Sequence, residues 1–180
     1  MTALTLSGAD LRGATLLGSD LRRANLSGAN LQDAGVRGTS MDNANLARAF
    51  LANASFGGTV LTGAVFDEAV LSAVAKTAAG DVLLTARLGG AFLRRTRWAG
   101  ADIAGASLTG VDLSAADMRS ATFAKTVEIN GTPTDVLVNV TAPKINDRTL
   151  LPPGIEAALA RQAPAETATP PVAGPAAPPK

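Results

Sequence analysis

From Ser7 to Leu31 the chain reads SGADLRGATLLGSDLRRANLSGANL, with leucine at every fifth position: Leu11, Leu16, Leu21, Leu26 and Leu31. A small residue stands two places before each one. This five-residue rhythm constrains the fold more than any other feature. It runs unbroken from Leu6 to Leu71 and resumes from Leu88 to Phe123, and all twenty-two of its central positions are apolar. The residue two before the centre is Ala in sixteen repeats, and the residue two after it is Gly in eleven.

A period of five fits neither regular element. On a helix, five steps of about 100° rotate successive leucines away from one another. On a flat strand, an odd step places them on alternate faces. A backbone that returns every centre to the interior must turn once per repeat. Four turns close a square, so one coil takes about twenty residues, and coils stack about 4.8 Å apart. The centre and the Ala two before it then point inward. The remaining positions carry the turns and face water, and Gly two after the centre suits a positive φ. Proline is absent from residues 1–132, as ladders of backbone hydrogen bonds between coils require.

Ala9-Asp10-Leu11, Ala24-Asn25-Leu26, Ala29-Asn30-Leu31 and Ala44-Asn45-Leu46 resemble the A(D/N)LXX motif of the pentapeptide-repeat proteins. The resemblance spans roughly residues 4–125. It implies an all-β solenoid, a right-handed quadrilateral β-helix, and the repeat count gives about five to six coils. Stability in such a rod comes from neighbouring coils, and its open ends need covers.

The rhythm fails between Leu71 and Leu88, a step of seventeen residues. Two readings of Val74–Thr85 compete: a loop bulging from one corner, which is preferred, or a short helical turn over Ser72–Ala79 with a degenerate repeat centred on Leu83. Nearby, Val60, Val65 and Val70 replace the polar residue before the centre, and Phe50 stacks with Val70. This apolar strip is either covered by the folded-back insertion or open as a protein contact. After the break comes Phe92, outward in this register, followed by Arg94, Arg95 and Arg97. These form either a solvated, partly paired face, with Arg97 paired to Asp117 and Trp98 filling space inside, or a basic-aromatic contact for an acidic partner. Phe50, Val60, Val65, Val70, Phe92, Arg94, Arg95 and Arg97 are therefore the candidate protein-contact residues.

Three segments are expected: a repeat β-helix over 1–126, interrupted at about 74–85; a C-terminal hairpin and short helix over 127–162; and a disordered Pro/Ala-rich tail over 163–180. The hairpin, Val127–Ile129 and Val136–Val140 about an Asn130-Gly131 turn, is expected to cover the last coil. The helix after Pro153 has Ile155, Ala158, Leu159 and Gln162 along one side, for capping or a dimer contact.

The chain has no Cys and no His, which removes the commonest nucleophile, general base and metal ligands. Phosphate-binding glycine motifs are absent, and carboxylates on flat faces lack a cleft to perturb them. No catalytic, metal or cofactor site is expected. There is no apolar run long enough to span a membrane and no signal-like N-terminus, so the cytoplasm is the expected location. The function expected is a non-enzymatic scaffold or adaptor for another, unidentified protein, with a homodimer through a β-helix end or the C-terminal helix as a further option. The resemblance implies an alternative: some pentapeptide-repeat proteins mimic DNA, bind gyrase and protect it from quinolones. Residues 1–126 hold twelve Lys+Arg against ten Asp+Glu, which opposes a phosphate-like field. Nucleic-acid binding is also disfavoured, because bases and acids are interspersed.

Overall fold

The computed structural model describes residues 4–141, 143–153 and 155. Successive repeats turn to successive faces and form four columns of parallel bridges. The first column runs Thr5, Asn25, Asn45, Val65, Arg97, Asp117, Leu150; the second Asp10, Asn30, Phe50, Val70, Asp102, Thr122. The third runs Thr15, Gly35, Ser55, Arg87, Ser107, Asn139; the fourth Asp20, Ser40, Val60, Phe92, Asp112, Lys144.

The hydrogen bonds explain the pattern. Each centre donates its N–H to the coil above, as Leu26 does to the Asn45 carbonyl at 2.7 Å. The residue before the centre donates to the coil below, as Asn45 does to the Ala24 carbonyl at 2.9 Å. A third bond closes most corners, as from Ala29 N–H to the Leu26 carbonyl at 3.0 Å, and the residue inside that turn, Gly28, has φ +66°. That is the geometry of a type II turn, and it accounts for Gly two after the centre. Where another residue stands there, as at Arg23, Asp33, Arg48 and Arg95, φ is positive all the same.

The core is a stack of the centres with the small residues two before them, fully buried through most of the rod. Trp98 lies wholly inside, stacked on Phe66 with ring centroids 4.1 Å apart. Its indole N–H donates to Thr96 Oγ1 at 2.7 Å, and Thr96 donates in turn to the Leu93 carbonyl. An inward Thr thus satisfies the one polar atom of the largest core side chain.

Between Leu71 and Ala86 the chain leaves the coil as an antiparallel hairpin, β1 (Ser72–Thr77) and β2 (Gly80–Thr85). Leu83 pairs across to Val74 and is not the centre of a repeat, and no helical turn forms over 72–79. After Phe123 a second hairpin forms, β3 (Ala124–Ile129) and β4 (Thr132–Leu137), about Asn130-Gly131. It begins earlier than the sequence suggests and does not lie over the last coil. Asn139, Lys144 and Leu150 continue the columns above Ser107, Asp112 and Asp117, with Val140 and Leu151 buried beneath. The coil therefore runs on past residue 126, because the hairpin returns the chain to the corner it left.

Both hairpins have six-residue strands and a two-residue turn, and both start directly after a centre below the second column. Their sheets touch, and their tips are clasped: Asn130 N–H donates to the Asp81 carboxylate, and Asp81 N–H donates to Asn130 Oδ1, both at 2.7 Å. Between the two roots lies Gly105, with φ +81°. A Cβ there would stand 2.8 Å from Val136 Cγ1 and 2.9 Å from Thr85 Cγ2. The helix expected after Pro153 falls outside the described residues apart from Ile155, which packs against the core.

Candidate functional site

In the ordinary repeat, the Asp or Asn before the centre caps its own corner. Its side-chain oxygen accepts the N–H two residues on, as in Asn25 to Ser27, Asn30 to Gln32 and Asp112 to Ser114. This is the Asx turn, and it explains the D/N of the motif. When Arg stands two after that Asp, it also forms a two-pronged pair: Arg12 with Asp10, Arg22 with Asp20, Arg119 with Asp117. Hydrogen bonds from the arginine side chain and backbone lower the Asp10 and Asp20 carboxyls to about 2.

Phe50, Val60, Val65, Val70, Phe92 and Arg97 all occupy this capping position and give up the cap. The structure does not bring them together. Val60, Val65 and Val70 fall on three different columns, because consecutive repeats turn to consecutive faces. Phe50 and Val70 are neighbours in the second column, and Phe50 remains 49% exposed beside the hairpin root. The hairpin β1–β2 packs on β3 instead. Val65 and Arg97 are neighbours in the first column.

The pairing of Arg97 with Asp117 is not formed. The two share a column, but the Arg97 guanidinium turns to Asp67 at 2.6 Å, and Asp117 is held by Arg119 at 2.7 Å. The nearer in-repeat partner prevails. The Asp-x-Arg spacing of Asp117 and Arg119 is the sequence signal for it.

The fourth column does assemble a site. Val60 and Phe92 are adjacent rungs, and Phe92 is 48% exposed. Arg94 and Arg95 follow in the corner turn after Leu93. Arg94 approaches Asp112 of the next coil only to 3.8 Å, while its side chain stays 56% exposed. Asp112 is sunken, 14% exposed, and also faces Lys144 at 3.5 Å. Burial alone would raise its carboxyl, but hydrogen bonds from Ser114 and the charge of Lys144 outweigh this and hold it below the ordinary value. Among the described residues no carboxylate pairs with Arg95. Lys144 lay beyond the repeats legible in the sequence, so its place on this face was missed. Among the described residues no cluster of carboxylates is arranged to hold a metal, and no helix is long and apolar enough to cross a membrane.

Eight copies of the family model "Pentapeptide repeats" match residues 6–43, 39–74 and 86–125. The chain belongs to the pentapeptide repeat family. The hairpin β1–β2 falls almost wholly in the gap between the last two matched segments. Among solved structures, the chain is similar to the pentapeptide repeat protein Rfr23 from the cyanobacterium Cyanothece 51142, at 15% identity and TM-score 0.42, covering 80% of this chain and 88% of that one. It is similar to a pentapeptide repeat protein of the Arabidopsis thaliana thylakoid lumen, at 27% identity and TM-score 0.35, covering 62% and 70%. It is also similar to QnrB1, a plasmid-mediated fluoroquinolone resistance protein, at 21% identity and TM-score 0.41, covering 79% and 77%. No curated protein matches the chain.

Proposed function

We propose that this protein is a non-enzymatic scaffold, built on a right-handed quadrilateral β-helix of about five to six coils, that binds another protein through the Val60–Phe92 face. One observation carries the reading: at Phe92-Leu93-Arg94 an aromatic replaces the carboxylate that both caps the corner and holds the arginine in Asp10-Leu11-Arg12 and Asp20-Leu21-Arg22. The repeat forgoes a corner cap and an ion pair and exposes an apolar ring in their place. Rigid flat faces with variable outward residues suit binding rather than chemistry. The chain has neither His nor Cys, and outward carboxylates such as Asp10, Asp20 and Asp117 are taken up by corner caps and arginine pairs.

The test is site-specific photo-crosslinking in the protein's own cells, with benzoylphenylalanine at position 92 and, as a control, at position 15 on the third column. A discrete adduct from position 92 alone is expected. A smear, or the same adducts from both positions, refutes the reading.

A further inference from the structure

Every arginine that follows an Asp by two residues is locked. The Arg12–Asp10, Arg22–Asp20 and Arg119–Asp117 contacts are 2.6, 2.6 and 2.7 Å. Two arginines elsewhere find close acids: Arg48 meets Glu68 at 2.8 Å and Arg97 meets Asp67 at 2.6 Å. Arg23, Arg37 and Arg87 form no ion pair among the described residues, and Arg87 bonds the Asn53 amide instead. Arg94 is distinguished by what has replaced its own acid. Phe92 stands where its own Asp would be, and its remaining contact with Asp112 is 3.8 Å long and shared with Lys144. On the face that carries Phe92, then, Arg94 and Lys144 share the single sunken carboxylate of Asp112, and Arg95 follows Arg94 at the corner.

We propose that this face binds an acidic segment of a partner protein, with an apolar side chain on Phe92 and Val60 and a nearby carboxylate on Arg94. Resting on the reading of this face as a protein contact, the proposal adds the chemistry of what it contacts. Phe92 stands at a bridged position of the fourth column, and Arg94 follows two residues on, in the turn that closes the next corner. A partner segment seated on the ring therefore has its neighbouring residues close to the guanidinium. A planar guanidinium takes an incoming carboxylate through two parallel hydrogen bonds, which its long contact with Asp112 leaves unmade. An aromatic beside arginine is also the composition of residues that dominate protein interfaces. Nucleic acid fits less well. Asp20, Asp42 and Asp112 punctuate the same face, and the chain carries a net charge of only +1, so few phosphates could be neutralised at once.

The test uses the full chain and fluorescence anisotropy with three labelled probes: a Gly/Ser-flanked Leu-Ser-Glu-Glu peptide, its Leu-Ser-Lys-Lys counterpart, and a 20-base-pair duplex DNA. The acidic peptide is expected to bind in the micromolar range and weaken several-fold between 50 and 300 mM salt. Arg94→Ser with Arg95→Ser, and separately Phe92→Ala, should each weaken it tenfold or more, with unchanged thermal melts. Phe50→Ala, on the opposite face, should leave it unaltered. Absence of binding, equal binding of the lysine peptide, tighter binding of the DNA, or equal loss with Phe50→Ala would overturn the proposal. If position 92 gives its discrete adduct while the acidic peptide fails, the contact stands and its acidic specificity is wrong. If the adduct fails as well, both fall.

Discussion

Replacing Gly105 by Ala tests whether the two hairpins form one packed unit. Two costs arise there. The backbone sits at φ +81°, in the region where a Cβ costs about 1–2 kcal/mol. The new methyl would also meet Val136 Cγ1 and Thr85 Cγ2 inside 3.0 Å, which forces the hairpin roots apart, and overpacking of this kind costs about 1–3 kcal/mol. The expected sum is about 2–5 kcal/mol. Gly110→Ala is the control. It has φ +63° and open space around the added atom, so only the backbone cost of about 1–2 kcal/mol applies. Urea unfolding followed by circular dichroism compares the two. A companion variant, Val136→Ala, removes one of the clashing atoms, so the double mutant should lose less stability than the single losses added together. If Gly105→Ala and Gly110→Ala cost the same, or the double mutant is additive, the hairpins do not press on this corner and the reasoning fails.

Other expectations follow from single side chains. Thr96→Val leaves the Trp98 indole N–H and the Leu93 carbonyl without their partner; a loss of about 1–3 kcal/mol is expected, read from the chain's one tryptophan, and a loss under about 0.5 kcal/mol would contradict the relay. Ser72 Oγ is buried without a hydrogen bond at the root of β1, so Ser72→Ala should be neutral or stabilising by up to about 1 kcal/mol, and destabilisation beyond that would reveal an unseen partner. The Asp20 carboxyl titrates at about 2 against an ordinary 3.8, so its contribution is present above pH 3.8 and is lost as pH falls from there through 2; NMR titration should find it low in the native chain and raised toward 3.8 in Arg22→Ala, still held below it by the remaining residue-22 backbone N–H. A gyrase supercoiling assay with a quinolone should show no protection at micromolar protein; clear protection would restore the DNA-mimic alternative.

The interior was legible because it is written locally. A centre, the Ala before it and the Gly after it each answer to one turn of backbone, and five residues suffice to show why. The long-range features were not. Leu71 and Phe123 lie on the same corner two coils apart, but the twelve surplus residues of the first insertion hide that phase from a count along the chain. The continuation through Val140 and Leu151 was hidden likewise, since its steps are no longer five. For the candidate site, the outward placing of Phe92 came from register alone. The long Arg94–Asp112 contact did not, because it depends on which of several charges lies nearest. The apolar strip of Val60, Val65 and Val70 came apart because neighbours in sequence are a quarter-turn apart in space.

The paired feet of the hairpins carry a last consequence. Ser72 lies opposite Thr85, and Ala124 opposite Leu137, so each excursion ends one strand-width from where it began. The rod is thus blind to the length of whatever is inserted at that corner. Twelve extra residues leave every column in step, and a longer or shorter hairpin would do the same. The corner after the second column works as a socket. Lineages of this chain can lengthen, exchange or discard what is plugged there without rewriting the coil, so variation should concentrate in the wing while the columns keep their rhythm.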